Sequence, residues 1–250
     1  MRSSGLPTTT LSTLRGIKTE KLLNLKMTLE QKLARTEFAD IFRFELTSAN
    51  TLTLDLSDEN SDEAFVKVNS VGELEKYIWD KMASEGKQFA IGGYGENRVI
   101  YKRFTHFNSG ETEERSIHLG SDLWCDAHEP LFAPLSGTVH SFKNNDNPGD
   151  YGGTIILEHN LEGIKFYTLY GHLSWESLSG LKKGQEIQAG KQFATLGAEA
   201  ENGGWPPHLH FQVMKDLEGR EGDYPGVAEK SKAEKFLANC PDPKYMLGLR

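Results

Sequence analysis

Phe166-Tyr-Thr-Leu-Tyr-Gly-His172-Leu173 is a run of aromatic and β-branched residues closed by a glycine and a histidine. Such a run reads as a β-strand, and the glycine near its end leaves room for another chain to approach. Working outward, runs of the same kind recur at Val99-Ile100-Tyr101, Gly137-Thr-Val-His140 and Thr154-Ile-Ile-Leu157. Gly184 to Gly190, followed by Lys191 to Gly197, predicts two strands joined at Gly190. From Gln88 onward the glycines punctuate these runs as turns do, and antiparallel strands are expected. The preceding part has a different period. Thr19 to Phe42 carries Leu22, Leu25, Leu29 and Leu33 at three- and four-residue steps, which predicts helix, with a capping box at Thr28 and Gln31 dividing it. Thr51 to Leu56 alternates as a strand, Ser57 to Glu63 reads as a solvated turn, and a second helix is expected from Ser70 through Leu74, Tyr77, Ile78 and Met82 to Gly86. A last helix is expected over Glu229 to Leu237. The fold class is therefore α+β overall: an N-terminal α+β accessory region at 1–88, an antiparallel all-β domain at 89–215, and an irregular or helical tail at 216–250.

The composition narrows the function. The 250 residues carry a formal net charge of -8 and are 37% hydrophobic, enough for one substantial core. An acidic chain lacks the phosphate-neutralising surface that nucleic acid requires, so no nucleic acid partner is expected. No stretch is long and apolar enough for a membrane span, and the polar N-terminus has no apolar leader segment. Cytoplasmic localisation is the resulting expectation, or a periplasmic or extracellular one if the N-terminus is a processed one. Cys125 and Cys240 show no paired spacing, and two thiols rather than a disulfide are expected.

The eight histidines point to chemistry. His118-Leu-Gly-Ser-Asp122 places an imidazole and a carboxylate four residues apart, roughly 13 Å on a straight strand and too far to share an ion. A bend at Gly120 would bring them together. His208-Leu-His210 places two imidazoles on one face of a strand with Leu209 on the other. His172, by strand alternation, shares the face of Tyr170 and Thr168. Two histidines and one carboxylate suit a catalytic Zn²⁺ with an open fourth position.

The ordered set His118-x-Gly-x-Asp122, Tyr-Gly-His172-Leu-Ser and Pro-His208-Leu-His210-Phe resembles the M23 family of zinc metallopeptidases, the lysostaphin and LytM type. The resemblance covers Arg115 to Val213, including Ala133 to Val139 and Gly184 to Gly197. It implies a compact antiparallel β fold, an M23-like zinc peptidase domain, crossed by an open groove. It implies metal ligands at His118, Asp122 and His210, with His172 and His208 as general base and oxyanion donor. It implies hydrolysis of peptide crosslinks in peptidoglycan, next to glycine or D-amino acids. A finer resemblance, in Gly92-Gly-Tyr-Gly-Glu-Asn-Arg98, Gly203-Gly-Trp-Pro-Pro-His208 and Cys240-Pro-Asp-Pro243, is to M23 modules inside larger intracellular proteins.

Other polar groups receive blander readings. His128-Glu129 lacks a second histidine four residues on, so it reads as a turn, and His106, His140 and His159 have no partner spacing. Cys125 is expected to face away from Asp122. Trp205, Tyr94 and Tyr170 are candidates for the groove wall or for the core. Arg98 is a candidate for a substrate carboxylate or for a structural ion pair. The leading expectation is a zinc-dependent endopeptidase acting on a peptide or peptidoglycan-like substrate. The alternatives are an intracellular amide or peptide hydrolase acting on a small metabolite, and a non-catalytic binding or regulatory module.

Overall fold

The two longest strands, β7 (Gly152–Leu161) and β8 (Ile164–Leu173), form an antiparallel hairpin in which Leu161 pairs with Ile164. The two turn residues, Glu162 and Gly163, both have positive φ, the backbone that a two-residue hairpin turn requires. Around this hairpin the chain builds an α+β fold, described here by a computed structural model for residues 27–98, 100, 113 and 115–249. The main sheet has eight strands in the order β1-β2-β4-β11-β8-β7-β6-β9. Its members are β1 (Thr51–Leu54), β2 (Phe89–Gly92), β4 (Ser121–Trp124), β6 (Gly137–Asn145), β9 (Glu186–Ile187) and β11 (His208–Met214), together with the hairpin. Strand β3 (Arg115–His118) pairs with β12 (Val227–Glu229), and β5 (Pro130–Phe132) with β10 (Gln192–Thr195), as two small separate sheets.

All pairings in the main sheet are antiparallel except β1 with β2. A parallel pair needs a crossover, and here it contains α2 (Glu63–Val66) and α3 (Val71–Ser84). Ser70 caps α3 by accepting from the Glu73 amide, and Gly86 follows its end at φ +63°. Leu74, Tyr77, Ile78 and Met82 form the buried stripe that the spacing predicts. They pack with Leu54, Leu56, Phe65 and Ala90 over the β1–β2 end of the sheet. A second cluster covers the sheet face reached by Leu209, Phe211 and Val213 of β11 and also holds Cys125. A third joins Leu169 and Met214 to Tyr224, Cys240 and the tail helix α4 (Ala233–Asn239). Among the described residues no helix is long and apolar enough to cross a membrane, and Cys125 and Cys240 are both buried free thiols.

Several sequence expectations need correction. The helix expected over Thr19 to Phe42 is, within the described residues, only the five residues of α1 (Leu29–Leu33), with the Thr28–Gln31 capping box intact. Leu22 and Leu25 lie outside those residues. Beyond Ala34 the β-branched and aromatic residues Thr36, Phe38, Ile41, Phe42 and Phe44 disfavour helix, and tertiary packing takes over. Phe42, Phe44 and Phe89 stack on one another. The turn at Ser57 to Glu63 leads directly into α2, which the acidic composition conceals. The strands on either side of Gly190 exist but belong to different sheets. The last helix begins at Ala233, because Val227–Glu229 is drawn into β12. Of the run Val99-Ile100-Tyr101, Val99 and Tyr101 lie outside the described residues, as does His106.

His159 on β7 is a core histidine, 2% exposed. Its Nδ1 donates to the Ser136 carbonyl at 2.9 Å, and its Nε2 lies 2.7 Å from the Thr168 hydroxyl. Burial pushes its pKa down to about 4, against the weaker opposing pull of Ser136 and Glu158. Below pH 6.5 the unfolded chain therefore binds a proton that the folded chain refuses. This stabilising contribution is complete above pH 6.5 and is lost as pH falls towards 4, amounting to roughly 3 kcal/mol in all. Urea midpoints measured from pH 7 to 4.5 are expected to fall more steeply for the wild type than for His159→Gln.

Candidate metal centre

The site begins where the chain changes sheets. β3 ends at His118 and β4 begins at Ser121, so Leu119-Gly120 carries the backbone from one sheet to another. The turn brings His118 Nε2 to 3.2 Å from Asp122 Oδ1, instead of the separation a straight strand imposes. Gly120 is not in the left-handed region. What it provides is space rather than special backbone angles. A Cβ there would fall 2.7 Å from the Phe211 carbonyl oxygen and 2.8 Å from His210 Nε2.

Strand β11 lies between β4 and β8, with His210 opposite both Asp122 and Gly171. Alternation sends His208, His210 and Gln212 to the site face, while Leu209, Phe211 and Val213 enter the core. His210 Nδ1 stands 3.0 Å from Asp122 Oδ1 and 3.1 Å from His118 Nε2. His118, Asp122 and His210 are therefore a buried triangle of candidate ligand atoms. A tetrahedral ion with bonds of about 2.0–2.1 Å needs ligand atoms roughly 3.3–3.4 Å apart. The triangle is within a few tenths of an ångström of that.

The outer hydrogen bonds decide what the inner atoms are. His118 Nδ1 donates to the Gly93 carbonyl at 3.0 Å. His210 Nε2 donates to Gln212 Oε1 at 2.9 Å, and Gln212 is held in that orientation because its Nε2 donates to the Pro225 carbonyl and to Cys240 Sγ. In its neutral form each imidazole spends its one proton outward and turns a lone pair inward. That form presents three acceptors to one point, an arrangement that a cation relieves. Burial, with the nearby Arg98 charge, pushes the His118 pKa down to about 4, so that ring stays neutral. Burial acts to raise the Asp122 pKa, but the groups around it, the Arg98 guanidinium among them, outweigh it and hold the carboxyl well below its usual range. The donor set is two imidazole nitrogens and one carboxylate, which fits Zn²⁺.

His172 arrives by a route that alternation misplaces. Tyr170 packs in the core against Phe193 and Phe211, yet His172, two residues on, lies on the opposite face with its ring 4.1 Å from that of His208. The β7–β8 register slips between Gly153 and Ile155, and His172 itself has φ +62°. A bulge with a left-handed residue reverses the alternation and re-aims the side chain, at a backbone cost of order 1–3 kcal/mol. His172 Nδ1 donates to the Asn202 carbonyl at 2.8 Å and His208 Nδ1 to that of Pro206 at 2.7 Å. Each ring is thereby fixed with Nε2 as its open nitrogen. Burial pushes the His208 pKa down to about 4, and burial with the neighbouring His208 holds His172 well below its usual value.

Asp122, His172, His208 and His210 line a cavity of about 340 Å³ that also includes Tyr151, Trp205, Arg220, Asp223 and Tyr224. No local spacing in the sequence marks Tyr151. Its ring stands 5.6 Å from that of His172 and 5.1 Å from that of His210. Trp205 is in the groove wall as well as in the core. Tyr94 is elsewhere, donating to the Cys240 carbonyl at 2.6 Å. Arg98 also lines the cavity, but it is only 1% exposed and is paired with Asp122 and Glu96. His128, at φ +66°, sits in a turn, and His140 contacts the Ser141 hydroxyl.

The family model described as Peptidase family M23 matches residues 116–223. No curated protein matches the chain. Among solved structures it is similar to a zinc-containing peptidase from Vibrio cholerae, at 29% identity over 39% of this chain and 27% of that one, with a TM-score of 0.31. It is similar to Csd3 of Helicobacter pylori at 24% identity, over 50% of this chain and 32% of that one, with a TM-score of 0.32. For the catalytic domain of the antimicrobial peptidase lysostaphin from Staphylococcus simulans the values are 24%, 48%, 80% and 0.34. The chain spans about a third or less of the length of the first two.

Proposed function

We propose, from the premise that this chain carries a peptidase family M23 domain over residues 116–223, that it is a zinc-dependent endopeptidase. The observation that carries the zinc reading is the buried triangle of inward-facing acceptors on His118, Asp122 and His210. Zinc bound there would supply a Lewis acid, polarising a peptide carbonyl and lowering the pKa of water. Asp122 would contribute one negative charge and the two histidines none. His172 and His208 line the same cavity with their Nδ1 atoms tied to backbone carbonyls. Their Nε2 atoms divide the proton work. One takes a proton from the attacking water and passes it to the leaving amine nitrogen, while the other would have to take up a proton at Nε2 from solvent, becoming an imidazolium, to donate to the oxygen of the tetrahedral centre. Tyr151 and Trp205 give the groove aromatic walls suited to an extended peptide.

The proposed substrate is a short glycine- or D-amino-acid-containing peptide of the kind that crosslinks peptidoglycan, as the resemblance to family M23 implies. The test is incubation of the wild type and His210→Ala with purified peptidoglycan and with oligoglycine peptides. New amino termini are expected with the wild type alone. Zinc-loaded protein that releases none from either substrate would overturn the substrate assignment.

A further inference from the structure

We infer that Arg98 is a positioning residue of the metal centre, one that limits Asp122 to a single ligating oxygen and braces the ring of His208. This rests on the zinc reading proposed above and extends it to a residue outside the family match at 116–223. Arg98 is 1% exposed, and its Nη1 donates to Asp122 Oδ2 at 2.5 Å while Oδ1 faces His118 and His210. A carboxylate with both oxygens open can bind a metal through either or both. With the guanidinium on Oδ2, only Oδ1 remains, so the coordination position facing the groove stays open to substrate. The same guanidinium lies 5.9 Å from the Trp124 ring, and Trp124 stacks on His208 at 5.5 Å and 22°.

Two further features suit this role. Arg98 Nε donates to Glu96 Oε2 at 2.9 Å, and Glu96 Oε1 accepts from the Leu56 amide at 3.0 Å. The Glu96 charge offsets that of Arg98, so a cation close to the metal position does not repel the metal. Space is also reserved for the pair, since a Cβ on Gly92 would fall 2.6 Å from Trp124 and 2.8 Å from Arg98 Nη2. Gly93, next in sequence, supplies the carbonyl that orients His118. The run Gly92-Gly-Tyr-Gly-Glu-Asn-Arg98 thus supports two of the three candidate ligands from outside the matched domain.

The test uses the full chain as wild type, Arg98→Lys and Arg98→Gln, stripped of metal and titrated with zinc against a chelating dye, then with cobalt(II). Zinc affinity is expected to fall roughly 10–100-fold in Arg98→Gln. A smaller fall is expected in Arg98→Lys, because an ammonium lacks the planar fork that meets two carboxylates at once. The visible cobalt band is expected to weaken in both, as Asp122 becomes free to bind through two oxygens. A purely structural arginine would change the denaturation midpoint but not these readouts in folded protein. Wild-type affinity and an unchanged cobalt band in Arg98→Lys overturn the inference, even if Arg98→Gln does not fold. A wild type that takes up neither metal overturns the zinc reading, and the inference with it.

Discussion

Peptide hydrolysis by the His210→Ala variant is expected to fall on the order of 10³-fold or more, with bound zinc lost in the same step. His210 closes the triangle of candidate ligands, at 3.0 Å from Asp122 and 3.1 Å from His118. Its removal leaves two donors for an ion that needs three, and leaves Gln212 Oε1 without its donor. The fold should survive. Leu209 and Phe211, on the opposite face of β11, continue to hold the strand in the core. Zinc content, circular dichroism and peptide release measured on one preparation separate loss of the metal from loss of the structure. Full zinc content in a folded His210→Ala protein would remove this residue from the ligand set.

The second large effect is of a different kind. His172→Ala and His208→Ala are each expected to lower kcat by roughly 10²–10⁴-fold while zinc is retained. Neither ring belongs to the triangle, and both have Nδ1 committed to a backbone carbonyl. The double variant should lose far less than the product of the single losses, because the two rings act together on one transition state. Loss of zinc from either single variant would instead make that histidine a ligand.

The sequence makes the candidate ligands legible for a physical reason. His208 and His210 stand two apart on a strand, so one face must carry both, and glycine beside His118 marks the place where two sheets meet closely. The helix α3 is equally plain, since its cap and its apolar stripe are local features. What was hidden depends on long-range packing. Alternation assigns His172 to the face of Tyr170, and only the bulge and its left-handed backbone move it to the site. Tyr151 enters from the start of β7, and no local spacing links it to the histidines. Gln212 was within reach, because it follows His210 by two residues on the same face of β11. The partnership of Arg98 with Asp122 spans 24 residues and crosses from the glycine-rich run to β4, so spacing does not announce it. Beyond Leu33 the expected helix over Thr19 to Phe42 failed in its described part, where aromatic side chains find better burial in irregular backbone than along a helical stripe.

The zinc content of the purified full chain, determined by elemental analysis after exposure to excess zinc and desalting, tests the centre most directly. The expected result is one zinc per chain in the wild type, lost together in His118→Ala, Asp122→Ala and His210→Ala. A wild type that retains no zinc, or variants that retain as much as the wild type, would contradict it.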